Sequence, residues 1–415
     1  VGKSAQYRFC FRRRISCVIS LIRKRVGSPE PALLHIMHKV IPMSKGRVGI
    51  LTSYHIHNDG NRMIYGGAER YGIEFTKLLL EMGYHVEWWQ IGSGWEQEIL
   101  PGVPLYSLPM GEAEYQTCPA LNHAFHEQAN RIDFAVYFST LLAYPQAFKK
   151  SISISHGIYW DYPTWERIVP TERHRREWRY RWWSALNRPA AIVSCDTATI
   201  RYINATWPGL SEKMIYIPNF VDLHSFYPLK EKVPRETVRI LYPRRLTSVR
   251  GIYETIAAIE KLAAKYPQAE FHIVGRSHND HHEGELLRWA SRYEQVYYYW
   301  RPPHQMPEIY RQMDIAIIPT KASEGTSLSC LEAMASGCAV IAGCTGGLTD
   351  LIIPEYNGLL LRPLNTRTLM EALSCLIEDP ELRQRLSINA RTVSESFSLE
   401  KWKHRWRKVI EAVFR

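Results

Sequence analysis

The stretch Ser323-Glu-Gly-Thr-Ser-Leu-Ser-Cys-Leu-Glu-Ala-Met-Ala-Ser-Gly-Cys-Ala-Val-Ile-Ala-Gly-Cys-Thr-Gly-Gly347 decides the fold. It follows the apolar run Ile315-Ala-Ile-Ile-Pro319, which reads as a buried parallel strand. Glu324-Gly325-Thr326 is a turn. Ser327 to Ser336 reads as a helix, with Leu328, Leu331 and Ala335 on one face. Gly337 stands where a helix C-terminus favours a left-handed residue. Ala339 to Ala342 is the next strand, and Gly346-Gly347 is a second tight turn. Such a unit aims backbone N–H groups and a helix N-terminus at one point, which suits an anion. One carboxylate, Glu324, lies in the turn and another, Glu332, on the helix.

The same alternation extends to both sides. A chain of 415 residues exceeds what one core usually supports, so two domains are expected. Val48 to Thr52 is a strand, followed by a His-rich loop and Tyr65-Gly-Gly-Ala-Glu-Arg70. Glu69 to Glu81 reads as an amphipathic helix and Gly83 to Gln90 as the next strand, the opening of a doubly wound α/β domain. Phe134 to Phe138 and Ser151 to Ser155 continue the sheet. The second of these runs into His156-Gly157, where a parallel strand's ligand crevice lies, although a satisfied loop histidine fits equally well.

Trp165 to Arg188 reads as a helix rich in Arg and Trp, more readily a surface helix than a membrane contact. Ala191 to Cys195 is a strand, Thr197 to Thr206 a helix, and Ile215 to Asp222 a strand and loop. A second domain then opens with the strand Arg239 to Tyr242 and the basic loop Pro243 to Gly251. Its later strands include Phe271 to Gly275. The final helix, Leu399 to Phe414, is rich in Trp and Arg. The expected organisation is a basic extension over 1–42, an N-terminal domain over 43–222, a linker over 223–236, a C-terminal domain over 237–395, and a crossing helix over 396–415.

Charge is unevenly placed. Residues 1–47 carry eleven Lys/Arg and one acid, Glu30, against +11 for the whole chain, so the body is near neutral. That argues against nucleic acid as a partner. The basic segment reads as an amphipathic membrane-surface helix, as a nucleic-acid arm, or as an extension foreign to the natural chain, whose start would then be Met43. No run of about 18 apolar residues exists to span a membrane. The eight Cys form no Cys-x-x-Cys pair and suit buried thiols in a reducing, cytoplasmic compartment. His278, Asp280, His281, His282 and Glu283 crowd a polar loop without helical ligand spacing, so no metal site is expected.

Arg245 and Arg250 follow the second domain's first strand, and a guanidinium matches phosphate oxygens bidentately. Gly325, Thr326 and Ser327 add backbone donors. Together they would hold a diphosphate, while Glu332 accepts from a ribose diol and Glu324 meets further hydroxyls. A ligand of that shape is a nucleotide sugar. A glycosidase pair fits less well. Eight helical residues span about 12 Å, beyond the roughly 5–9.5 Å that glycosidase carboxylates use.

The motif Glu324-x7-Glu332 and its surroundings resemble the signature of the retaining family-4 glycosyltransferases of GT-B fold. Gly66-Gly-Ala-Glu-Arg70 resembles their N-terminal glycine loop, and Ile217-Pro-Asn-Phe-Val-Asp222 their hinge motif. Arg245-Leu-x3-Arg250-Gly251 resembles their Arg-Leu-x3-Lys-Gly, and Gly346-Gly347 with Asn357-Gly358 complete the order over residues 47–395. The resemblance implies two Rossmann-like domains facing a central cleft, with the C-terminal helix crossing back to the N-terminal domain. It implies Glu324 and His156 near the transferred sugar, Arg245 and Arg250 on the diphosphate, and Glu332 on the ribose. Gly66, Gly67, Gly275, Gly325, Thr326, Ser327 and Leu328 complete the donor-binding set.

No metal or other cofactor is implied beyond the nucleotide-diphosphate sugar itself. The partner class is a saccharide or lipid-linked acceptor, with peripheral contact at the inner face of an anionic membrane. Three departures stand out: Arg250 for Lys, Phe220 for the hinge Gly, and Thr326-Ser-Leu-Ser for Phe-Gly-x-Pro, the last expected to lie against the donor. A non-catalytic sugar-nucleotide-binding protein on the same fold is the alternative.

Overall fold

The computed structural model describes residues 44–64, 66–110, 119–128, 131–157, 171–229, 236–277, 280–322 and 324–415. The basic segment over 1–43, Tyr65, Trp165, His278, Ser323 and residues 230–235 of the linker lie outside them.

The first domain runs β1 (Arg47–Leu51), α1 (Gly67–Glu81), β2 (His85–Gly92), β3 (Glu96–Leu100), β4 (Val103–Pro109), α2 (Pro119–Glu127), β5 (Phe134–Tyr137), β6 (Ser151–Ser155), α3 (Glu172–Asn187), β7 (Ala191–Ser194), α4 (Thr197–Thr206) and β8 (Met214–Tyr216). Its strands form one sheet in the order β3-β4-β2-β1-β5-β6-β7-β8. All neighbours are parallel except β3 and β4. β5, β6 and β7 are buried throughout, as strands covered on both faces must be.

The second domain runs β9 (Val238–Tyr242), α5 (Ile252–Lys265), β10 (Ala269–Val274), α6 (Asp280–Ala290), β11 (Val296–Tyr299), α7 (Met306–Arg311), β12 (Ile315–Ile318), α8 (Leu328–Ala335), β13 (Ala339–Gly343), β14 (Leu359–Leu361), α9 (Thr366–Glu378) and α10 (Pro380–Ser394). Its parallel sheet is ordered β11-β10-β9-β12-β13-β14. The order reverses between β9 and β12. In open α/β sheets the ligand crevice lies at such a switch point, beyond the carboxyl ends of the strands. The loops there are Pro243–Gly251 and Pro319–Ser327.

Three features depart from the sequence reading. β3 and β4 extend the first sheet beyond β2. The exposed Glu96-Gln97-Glu98 carries no apolar alternation, because an edge strand turns charge outward to discourage further pairing. The helix α2 likewise went unread. Asp280 to Glu283, expected in a polar loop, begin α6. Among the described residues no cluster suited to a metal occurs, and no helix is long and apolar enough to cross a membrane.

The chain crosses between the domains twice, and the two crossings pair with each other. Val221 N donates to Phe397 O at 2.9 Å, and Leu399 N to Val221 O at 3.0 Å. After the second crossing, α11 (Leu399–Val413) returns to the first domain. Trp402, Trp406, Ile410 and Phe414 enter the core built by Tyr71, Phe75, Val86 and Phe134. Trp406 Nε1 donates to the Tyr71 hydroxyl at 2.9 Å. Phe220 packs on Trp402 with ring centroids 4.6 Å apart, so the side chain that departs from the hinge pattern extends this core.

Trp406 is fully buried. Trp406→Ala should cost about 3–5 kcal/mol in denaturant unfolding. Lys403→Ala, which breaks a surface pair with Glu81, should cost under about 1 kcal/mol. Equal losses would mean that α11 is held by its charges rather than its rings.

Candidate active site

At the switch point, β12 ends and the chain turns through Glu324 to Ser327 into α8. Ser327 caps the helix, its hydroxyl accepting from Cys330 N at 3.4 Å. Behind the turn, Gly347 N donates to Glu324 O at 3.0 Å. Gly346 has φ 49°, and a Cβ there would collide with the Glu324 backbone. The second glycine turn is therefore a close-fitting backstop for the first.

The Glu324 side chain is 10% exposed. Its Oε2 receives Arg250 Nη1 at 2.6 Å and also Arg244 Nη2. Burial works against its charge, and the two guanidiniums outweigh burial, holding the carboxyl below its ordinary value. Arg244 also donates to Thr320 Oγ1 at 3.0 Å, Ser327 Oγ at 2.8 Å and Ser329 Oγ at 3.2 Å. Two cations face one anion, which leaves positive charge at a helix N-terminus.

Arg244 is a residue the sequence did not single out, since adjacent loop arginines carry no pattern to say which points inward. Arg245 is exposed instead and lies within electrostatic reach of Glu69 on α1. The loop itself is pinned by the Tyr242 hydroxyl, which donates to Arg245 O at 3.0 Å and Arg250 O at 3.1 Å. Gly275 lies against this loop, where a Cβ would collide with Arg244 O.

The first domain presses on the turn. Gly325 has no room for a side chain, because a Cβ would lie 2.9 Å from His156 O. Thr326 Oγ1 donates to Cys195 O at 2.8 Å and accepts from Asn219 N at 2.6 Å. Asn219 Nδ2 also donates to Thr326 O. The Thr326 hydroxyl, expected against the donor, thus ties the second domain to the first domain and to the hinge. Leu328 faces Gly67, whose Cβ position lies 3.6 Å from Leu328 Cδ1, and Gly66 caps α1 without a side chain. Asp350 accepts from Thr197 N at 2.8 Å at the other side of the contact.

Glu332 is 3% exposed on α8 and pairs with Arg70 of α1 across the cleft. His156 sits at the carboxyl end of β6. Its Nδ1 is 3.7 Å from Cys195 Sγ, and its ring packs on Tyr71 and Phe138. Among the described residues its buried Nε2 has no hydrogen-bond partner. Burial pushes its pKa down to about 4, so the ring is neutral at pH 7.

Two family models cover most of the chain. Residues 65–225 match Glycosyltransferase Family 4, and residues 227–393 match Glycosyl transferases group 1. The chain belongs to the family-4 glycosyltransferases. An uncharacterised glycosyltransferase of Haemophilus influenzae is 23% identical over 355 residues, covering 83% of this chain and 96% of that one. A phosphatidyl-myo-inositol mannosyltransferase of Mycolicibacterium smegmatis is 29% identical over 184 residues, 42% of this chain and 46% of its own.

Among solved structures, sucrose-phosphate synthase from Thermosynechococcus elongatus superposes with a TM-score of 0.72 at 19% identity, over 89% of this chain and 99% of that one. Anabaena Alr3699/HepE, solved in complex with UDP-glucose, gives 0.67 at 16% identity, over 88% and 100%. These are GT-B glycosyltransferases, and the two-domain GT-B architecture read from the motifs is the one observed.

His55, on the loop after β1, is also pushed down to about 4 by burial. A histidine depressed in the fold lends stability above its unfolded pKa and loses it as pH falls toward the folded value. Unfolding free energy should therefore decline between about pH 6.5 and 4, at about 1.4 kcal/mol per pKa unit for each ring. His55→Gln with His156→Gln should flatten that slope in urea titrations across the window. An unchanged slope would assign the acid loss elsewhere.

Proposed function

We propose that this glycosyltransferase moves a sugar from a nucleotide-diphosphate donor to an acceptor hydroxyl, with retention at the anomeric carbon. The observation that carries the reading is the convergence of Glu324, Arg244 and Arg250 at the N-terminus of α8, with Glu332 inside the same helix. Arg245 and Arg250 would take the diphosphate, aided by the helix N-terminus. Arg244 would hold Glu324 ionised and aimed. Glu332 would accept from the ribose diol, and Glu324 would meet the transferred sugar. His156, neutral and with Nε2 unpartnered, suits a hydrogen bond to a sugar hydroxyl.

In the reaction the bond from the anomeric carbon to the diphosphate oxygen breaks. The acceptor oxygen bonds to that carbon on the face the nucleotide leaves, and the acceptor proton passes to the departing diphosphate oxygen. The protein supplies orientation and stabilises the leaving charge with guanidiniums, so no metal is required by this reading. The acceptor would be a saccharide, free or lipid-linked, in cell-surface glycan synthesis. An exposed face of α3 supports a peripheral contact with an anionic membrane: Arg173, Arg176, Tyr180 and Trp183 all face solvent.

A panel of UDP-, GDP-, ADP- and dTDP-sugars tests the donor class, because a bound donor raises the melting temperature. No stabilisation by any of them would sink the reading. Glu324→Gln keeps the shape and removes the charge. It should cut transfer by about 10²–10³, the scale of losing one charge-stabilising group, with circular dichroism unchanged. Wild-type turnover would reject the assignment of Glu324. Retention is read from the anomeric signal of the product by NMR.

A further inference from the structure

Arg70 and Glu332 are 262 residues apart in the chain and belong to different domains. Arg70 stands in the first turn of α1. Glu332 stands in α8 among Leu331, Ala333, Met334 and Ala335, all buried. A carboxylate so placed has lost its water and needs a cationic or hydrogen-bonding partner. Its own domain directs the nearby guanidiniums of Arg244 and Arg250 to Glu324. The partner that meets Glu332 comes from the other domain: Arg70 Nη2 donates to Oε1. Burial opposes the charge on Arg70, and the Glu332 carboxylate more than restores it.

We propose that Arg70 is a positioning residue of the donor site, which fixes the Glu332 carboxylate for the nucleotide's ribose only while the two domains are closed. The inference rests on the ribose role given to Glu332 above. A carboxylate accepts about four hydrogen bonds, so one guanidinium leaves capacity for a vicinal diol. Arg70 therefore need not compete with the nucleotide. It sets the rotamer of Glu332 and withdraws when the cleft opens. An opened cleft returns Glu332 to water and loosens the nucleotide, so closure and donor retention rise and fall together.

Calorimetric titration with UDP, GDP and ADP tests this on the wild type, Arg70→Gln, Glu332→Gln and the double variant. Each single change should weaken the best-bound nucleotide by about tenfold or more, the scale of removing one partner of a buried charge pair. The double variant should be no weaker than the weaker single, because Arg70 acts through Glu332. Arg70→Lys should recover part of the loss. X-ray scattering on ligand-free protein should show a larger radius of gyration for Arg70→Gln with circular dichroism unchanged. Losses that multiply in the double variant, or Arg70→Gln binding like the wild type while Glu332→Gln binds weakly, would overturn this proposal alone. Wild-type binding by Glu332→Gln would overturn the ribose role and the proposal with it.

Discussion

The buried charge triad of Glu324, Arg244 and Arg250 is the constraint on which the cleft depends. Each side chain is less than a fifth exposed. Taking ions out of water costs several kcal/mol apiece, and only close pairing with further hydrogen bonds offsets it. The sequence around the triad meets that demand. Thr320, Ser327 and Ser329 all bond Arg244, and Gly347 holds the Glu324 backbone. The hydroxyl-rich run after Glu324 is thus explained by what it supports. A cradle of serine and threonine keeps an arginine in a place where an apolar wall would expel it.

A second constraint is contact between the domains at the same turn. Gly325 touches the His156 backbone, and Thr326 bonds both Cys195 and the hinge residue Asn219. The loop that carries Glu324 is therefore also the loop through which the second domain meets the first. Thr326–Cys195 and Arg70–Glu332 both join the two domains, one two residues from Glu324 and the other at Glu332 itself. Glu324, Glu332 and the contacts between the domains thus share one short stretch of chain.

Much of this was legible beforehand, and the reasons are specific. The strand–turn–helix unit at Ile315 to Ser336 was readable because its strand is uniformly apolar, its helix keeps Leu328, Leu331 and Ala335 on one face, and Gly337 closes it. The final helix was readable as a run rich in Trp and Arg, and its crossing back to the first domain came from the family resemblance. The motif order carried the family, which two family models match over residues 65–225 and 227–393. What escaped was set by tertiary context. Arg244 and Arg245 are neighbours in a loop with no periodicity, so their directions depend on what Thr320 and Ser327 offer across the turn. Glu96 to Leu100 pairs at a sheet edge where no alternation is required. Arg70 meets Glu332 only through the arrangement of two domains, which no local pattern encodes.

The returning helix has a consequence for how the chain is made. The core of the first domain includes Trp402, Trp406, Ile410 and Phe414. Domains emerging from the ribosome fold as units, N-terminal first. Here the first domain to emerge lacks its last wall until synthesis has passed residue 414, after the second domain is complete. Tyr71, Phe75 and Phe134 wait with an open apolar face until the second domain has been made. The first domain is accordingly walled by a helix made after the second, and removing Leu399–Val413 would damage the domain that was made first.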